Sequence, residues 1–279
     1  MTSKDSLKNS AHTAVKRGDW LKRLRKWAPE YSGVRLYNLI HDEVLIKGQT
    51  FTKEKADDFK KGTDLLGDLF IAYEEFKAEP QMGERGPFSD MMGQWLCDVD
   101  GFNVRGGQFF TPIHICDFMA SVGLSDDPVK LMEKPEQMMD PCAGSGRFML
   151  STAKHYAKVC GCFNFIYWNI DIDQRAFIYS TVNAILNGIP SFHIHGDSIV
   201  MKYWEAIAVI PQNGLPMWHT VDAKHLEDLH KQGLLKAAEE RRAEEMKPRS
   251  VDTPFGTIVV KPKEEKPKEK KEKPRQATF

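Results

Sequence analysis

No part of this chain is apolar for long enough to cross a bilayer, which takes about 20 residues, and no apolar segment near its start reads as a secretory leader. Cysteine is scarce. The five present are an odd number, scattered without a disulfide-like framework, as expected of a chain kept in a reducing cytosol. Net charge is also lacking: 39 basic and 39 acidic side chains cancel, so the overall balance names no class of partner. The Cys160-Gly161-Cys162 and His193-Ile194-His195 pairs have none of the companions that a zinc site needs, so no metal is expected. There are no internal repeats.

What is there is a hydrophobic content of 41%, ordinary for a folded domain, over 279 residues, enough for one large domain or two modest ones. The charge is unevenly spread. Lys4 to Lys26 and Lys261 to Arg275 are basic, and the middle is correspondingly acidic. Basic ends suit phosphate contact, and equally suit solvated termini. Residues 1–28 read as a basic amphipathic helix, with Trp20, Leu21, Leu24 and Trp27 at helical spacing and Pro29 as its stop. That helix either lies on a nucleic-acid backbone or is a solvated face with a buried tryptophan edge.

Further helices are expected over 53–77, 89–96, 112–122, 147–156 and 174–186. Short apolar runs at 137–139, 163–170, 193–195 and 206–210 read as strands between them. This alternation argues for βαβ units and a parallel sheet. A charged helix over 226–246 follows. The Lys/Glu/Pro run from Lys261 to Lys273 buries too little apolar surface to fold alone.

The strongest local signal is Asp140-Pro141-Cys142-Ala143-Gly144-Ser145-Gly146-Arg147-Phe148, between a strand and a helix. Gly144 and Gly146 permit a tight turn and close approach to a ligand, and the helix start beyond them favours an anion. A glycine-bearing βα turn with no ligand is the plain alternative. Asn169-Ile170-Asp171-Ile172-Asp173 ends the next strand, where an acid can accept ribose hydroxyls. Asp173 also reads as a helix cap, and both roles can hold at once. His195-Gly196-Asp197-Ser198 ends a third strand, with Asp197 placed to bond an adenine amine. Cys142 is expected to pack rather than react.

Gly106-Gly107-Gln108-Phe109-Phe110-Thr111-Pro112 stands upstream of these turns. Together with Asp-Pro-x-x-Gly-Ser-Gly and the lead-in Asp64-Leu65-Leu66-Gly67-Asp68-Leu69-Phe70, it resembles the modification subunits of type I restriction systems and related N6-adenine DNA methyltransferases. The resemblance spans roughly Asp64 to Ser198. It implies an α/β, Rossmann-like S-adenosylmethionine-dependent domain over 101–219, a helical region over 1–100, and a charged helix with a basic tail over 220–279. It implies S-adenosylmethionine as cofactor and DNA as substrate, a specificity or other partner subunit, and a bacterial or phage-infected cytoplasm. It further implies that Phe109, Thr111, Asp140, Gly144 and Gly146 hold the methionine end, Asp171 the ribose and Asp197 the adenine. Pro112, Cys142, Ile172 and Ser198 flank them in the same site.

The chain departs from that family at the next motif. The family carries Asn-Pro-Pro-aromatic at the end of the fourth strand, where an Asn oxygen and a backbone carbonyl accept the N–H bonds of the adenine amine and the aromatic ring stacks on the flipped base. Asn-Pro-Pro occurs nowhere here. An ungapped reading puts Ile210-Pro211-Gln212-Asn213 in its place. A slipped reading, favoured for shape, puts Leu215-Pro216-Met217-Trp218 there. Asn213, Pro216 and Trp218 are then the candidate catalytic residues, with no amine acceptor at position 215. Either the chain methylates adenine N6, or it is a silent methyltransferase-like subunit that holds cofactor and supports a partner or binds DNA.

Overall fold

A computed structural model describes residues 19–26, 53–78, 86–97, 111–212, 214–245, 249–253 and 256–260. Residues 106–110, with the candidate Phe109, lie outside the described residues, as do Asn213 and the tail from Lys261. The chain divides into two compact units, Met1–Glu227 and Asp228–Phe279.

Among the described residues of the first unit, α1 (Asp19–Lys26), α2 (Lys53–Ala78) and α3 (Met91–Trp95) come first. Trp20 and Leu24 of α1 are buried, with the Trp20 ring edge-on to Phe76 at 4.8 Å. On α2 the buried residues Leu65, Leu69, Ala72, Tyr73 and Phe76 recur at helical spacing. Arg23 on α1 bonds Glu75 at 2.7 Å and Asp68 at 3.2 Å, tying the two helices across their polar flank.

Helices α4 (Ile113–Gly123) and α5 (Pro128–Met132) lead into the sheet. Then come β1 (Glu136–Asp140), α6 (Arg147–Cys160), β2 (Phe165–Asp171), α7 (Gln174–Asn187) and β3 (Ser191–Asp197). The short helix α5, capped by Asp127, is too brief to show periodicity in the sequence. Helices α6 and α7 end on Gly161 and Gly188, both at positive φ, the conformation that closes a helix most cheaply with glycine. Met149, Leu150, Ala153 and Tyr156 of α6 pack on Phe165 and Tyr167 of β2, with Ala184 and Ile185 of α7.

The sheet continues through β4 (Lys202–Gln212) and β5 (Leu215–Thr220), in the order β1-β2-β3-β4-β5. The first three strands are parallel, but β4 runs antiparallel to β3 and β5 turns back antiparallel to β4, which corrects the expectation of a parallel sheet. The cause is connection length. A parallel crossover needs about a dozen residues, and only Ser198 to Met201 separate β3 from β4. At the turn β4 passes so close that a Cβ on Gly196 would lie 2.7 Å from the Lys202 carbonyl. The architecture is therefore α/β with a mixed five-stranded sheet, and β1 is an edge strand among the described residues.

Helix α8 (Ala223–Glu245) starts in the first unit, where Ala223 and Leu226 pack with Trp168, Ile170 and Ile194. Glu227, also buried, accepts the Tyr203 amide at 3.0 Å. The second unit holds the rest of α8 and a hairpin of β6 (Arg249–Thr253) and β7 (Gly256–Val260).

Candidate functional site

The three parallel strands end side by side on acids: Asp140, Asp171 and Asp197. Beyond them lies a cavity of about 360 Å³, within the size range of small-molecule sites. Thr111, Asp140, Cys142, Gly144, Asp171, Ile172, Asp197 and Ser198 all line it. Four separate segments thus converge on one place, as βα turns do at the carboxyl ends of parallel strands. Pro112 and Gly146 do not line the cavity. Gly146 sits behind it at φ 85, where a Cβ would meet Met149 and Ser180 at 3.1 and 3.3 Å, so it serves helix packing.

Each acid is already bound into the turns it faces. Asp171 accepts the Gly144 amide at 2.8 Å through one oxygen and the Asp173 amide at 2.9 Å through the other. Asp140 accepts the Cys142 amide at 3.0 Å. Asp197 accepts the amides of Ile199 and Val200 at 2.9 and 3.1 Å, all through Oδ1. Burial holds the Asp140 and Asp171 carboxyls above the usual carboxylate range, although the backbone amides pull the other way. Asp173 caps α7 through the Arg175 amide at 2.8 Å. Cys142 does not pack inward, as the sequence suggested. It is exposed on the cavity wall, because the turn after Asp140 faces outward, and the Ser198 hydroxyl bonds its thiol.

The candidate catalytic pair lies elsewhere. Trp218 is the cross-strand partner of Val209, which pairs with Ser191, the first residue of β3. Asp197 closes that strand six residues later, so at 3.3 Å per residue Trp218 stands roughly 20 Å from the cavity end. Pro216 pairs with Pro211, still further away. Trp218 instead packs, half-buried, against the cores around α7 and β2. The family motif is expected at the end of the fourth strand, and the reversal of β4 carries both residues to the opposite rim of the sheet.

Sequence reasoning missed a polar cluster behind the cavity. Asp90, at the start of α3, is only 8% exposed yet accepts four donors. They are the Gly93 amide at 2.7 Å, Ser145 Oγ at 2.7 Å, Arg147 Nε at 2.5 Å and Asn183 Nδ2 at 2.8 Å. Asn183 also donates to the Ser145 carbonyl at 2.9 Å, and Arg147 Nη1 to the Thr111 carbonyl at 3.0 Å. The Gly-rich turn is therefore held from below by α3 and α7. One signal was available: Arg147 opens α6, where the helix dipole disfavours a cation, which points to a dedicated anionic partner.

No curated protein and no solved structure matches the chain. Residues 95–216 match the family model described as N-6 DNA Methylase. The match runs from α3 into β5 and takes in the Gly-rich turn, all three acidic strand ends and Arg147. Over that segment the chain is similar to the N-6 DNA Methylase family.

Proposed function

We propose that the cavity binds S-adenosylmethionine, and that the chain is a cofactor-holding, methyltransferase-like component of a DNA adenine methylation system, silent in methyl transfer by itself. The observation that carries this is the separation of the two halves of the expected site. The β1-α6-β2-α7-β3 unit has the layout of a mononucleotide-binding half of a Rossmann-like sheet and gathers three acids at one cavity. After it β4 leads away from that cavity and β5 returns only to the level of His193, so Leu215, Pro216 and Trp218 stay away from it.

The donor set fits the ligand. Oδ2 of Asp140 and of Asp197 takes no hydrogen bond from the described residues, and a nucleoside offers hydroxyl and amine donors to such oxygens. In this reading Asp171 accepts the ribose hydroxyls with its remaining lone pairs while it holds Gly144. Asp197 accepts the exocyclic amine of the cofactor's adenine, and Gly144 allows the ligand close to the backbone. When bound, S-adenosylmethionine supplies an electrophilic methyl group on sulfonium sulfur. The residues of this chain orient that ligand and leave the base-holding groups to a partner subunit, as in a restriction-modification assembly in the cytoplasm. No helix among the described residues is long and apolar enough to cross a membrane.

The family match favours a second reading, in which the chain itself methylates adenine N6. Two measurements separate them: calorimetry with S-adenosylmethionine, and transfer of labelled methyl to unmethylated DNA. Binding without transfer is the expected result. Transfer by the purified chain alone supports the second reading, and absence of binding overturns both.

A further inference from the structure

Among the described residues lining the cavity, Arg147 is the single cationic side chain, beside three carboxylates. Its guanidinium is fixed on two sides, by Asp90 at 2.5 Å and by the Thr111 carbonyl at 3.0 Å. Asp90 does not line the cavity. With its side chain 5% exposed, it lies behind Arg147 and is satisfied by four donors from three parts of the chain.

We infer that Arg147 receives the amino-acid carboxylate of the bound ligand, and that Asp90 is the positioning residue that aims it. The inference rests on the reading of the cavity as an S-adenosylmethionine site and adds the side chain that takes the ligand's carboxylate and the one that positions it. That ligand has one anionic group, its carboxylate, and Asp140, Asp171 and Asp197 repel it from the strand ends. Arg147 is where it is attracted, and a planar guanidinium meets a carboxylate with two parallel charge-assisted bonds. The guanidinium needs no ordering when the ligand arrives, because Asp90 and Thr111 already hold it, and a preordered group binds more tightly. Ser145, in the same cluster, couples this arrangement to the Gly-rich turn. A ligand lying the other way would press its carboxylate on three acids.

The test compares two ligands that share the adenosine thioether and differ in the amino-acid arm: S-adenosylhomocysteine, which has it, and methylthioadenosine, which does not. Calorimetry is run on the full chain, its Arg147→Gln and Asp90→Asn variants, and the double variant, with melting temperatures recorded for each. Each single variant should weaken S-adenosylhomocysteine by about 10- to 100-fold, as expected for one charge-assisted site. Methylthioadenosine should change by less than about 3-fold. The double variant should be no weaker than Arg147→Gln alone, since Asp90 acts through Arg147. Should Asp90→Asn fail to fold, Arg147→Lys asks the same question, because its single ammonium cannot bridge Asp90 and Thr111 as a fork does. Equal losses for both ligands would reduce Asp90 and Arg147 to a structural role and overturn the inference. So would losses that simply add. A wild-type chain that binds methylthioadenosine but gains nothing from the amino-acid arm overturns the inference and leaves the nucleoside site standing. A chain that binds neither overturns both.

Discussion

The carboxylate of Asp171, at the end of β2, accepts the Gly144 amide at 2.8 Å, so one strand holds the turn that leaves its neighbour. Its second oxygen holds the Asp173 amide at the start of α7. Removing the carboxylate strips two partly buried donors of their acceptor, at about 1–3 kcal/mol for each group left unsatisfied. Asp171→Ala should therefore lower the melting temperature as well as weaken nucleoside binding, and Asp171→Asn, which keeps one oxygen, should do less of each. A thermal scan in which Asp171→Ala matches the wild type would remove the structural half of this role.

Gly93 and Gly67 make a matched pair. A Cβ on Gly93 would fall inside contact distance of Asp90 Oδ2 and 2.5 Å from Ser145 Oγ, whereas one on Gly67 meets nothing within 4 Å. Gly93→Ala should destabilise by roughly 1–3 kcal/mol through overpacking. Gly67→Ala, in the exposed middle of α2, should stabilise by about 0.5–1 kcal/mol through helix propensity. Opposite shifts in denaturation midpoint are the expected result, and a stabilising Gly93→Ala would contradict the tight packing described at Asp90.

His193 is wholly buried, its ring between Ser180 Oγ and Ser191 Oγ at 2.9 Å each, and burial pushes its pKa down to about 3. Unfolded, it takes up a proton near pH 6.5; folded, it stays neutral. Stability from this residue is complete above pH 6.5 and falls as pH drops toward 3, at up to about 1.4 kcal/mol per unit. Burial lowers His230 in the same direction. The raised Asp140 and Asp171 act oppositely, regaining stability as pH falls through their raised values toward 3.8, so the histidine contribution is read in the region just below pH 6.5 by comparison with a His193 variant. His193→Gln should flatten the fall of melting temperature across that region. An unchanged profile would show that His193 does not control it.

The β1-to-β3 unit was legible because each of its turns carries its own signal: Gly144 and Gly146 after one strand, Asp171 after the next, Asp197 after the third. The β4–β5 hairpin was signalled by Asn213-Gly214, a dipeptide suited to a two-residue turn, whereas the short connection before β4 was hidden because the apolar runs at 193–195 and 206–210 stand ten residues apart. Asp90 was illegible for a different reason. Ser145, Arg147 and Asn183 lie 55, 57 and 93 residues from it, and only the folded packing of α3, α6 and α7 brings them together. The β6–β7 hairpin was hidden by the charged residues on either side of it.

Because β4 runs away from the cavity and β5 starts at the far rim, changes in the Leu215–Trp218 segment should act on stability and spare the cofactor. Trp218→Ala should cost about 1–3 kcal/mol, below the range for a fully buried tryptophan because it is half-exposed. Its affinity for S-adenosylmethionine should stay within about 3-fold of wild type, less than 1 kcal/mol. Leu215→Asn should raise no methyl transfer, since Leu215 pairs with Gln212 at the far rim of the sheet. Gain of transfer in Leu215→Asn would place this segment back beside the cofactor.

The edge position of β1 also bears on how the protein behaves in a concentrated solution. Among the described residues, the outer side of Glu136 to Asp140 has no neighbouring strand, and Met139 is 39% exposed there. Such an edge is a template on which a second molecule can lay a strand, and charged side chains are what keep it solitary. Glu136 and Asp140 stand guard at its two ends. The guard at Asp140 is lost earlier than usual on acidification, because burial has raised its carboxyl. Acidification therefore weakens the guard at that end of the strand, and precipitation by strand pairing should rise as pH falls.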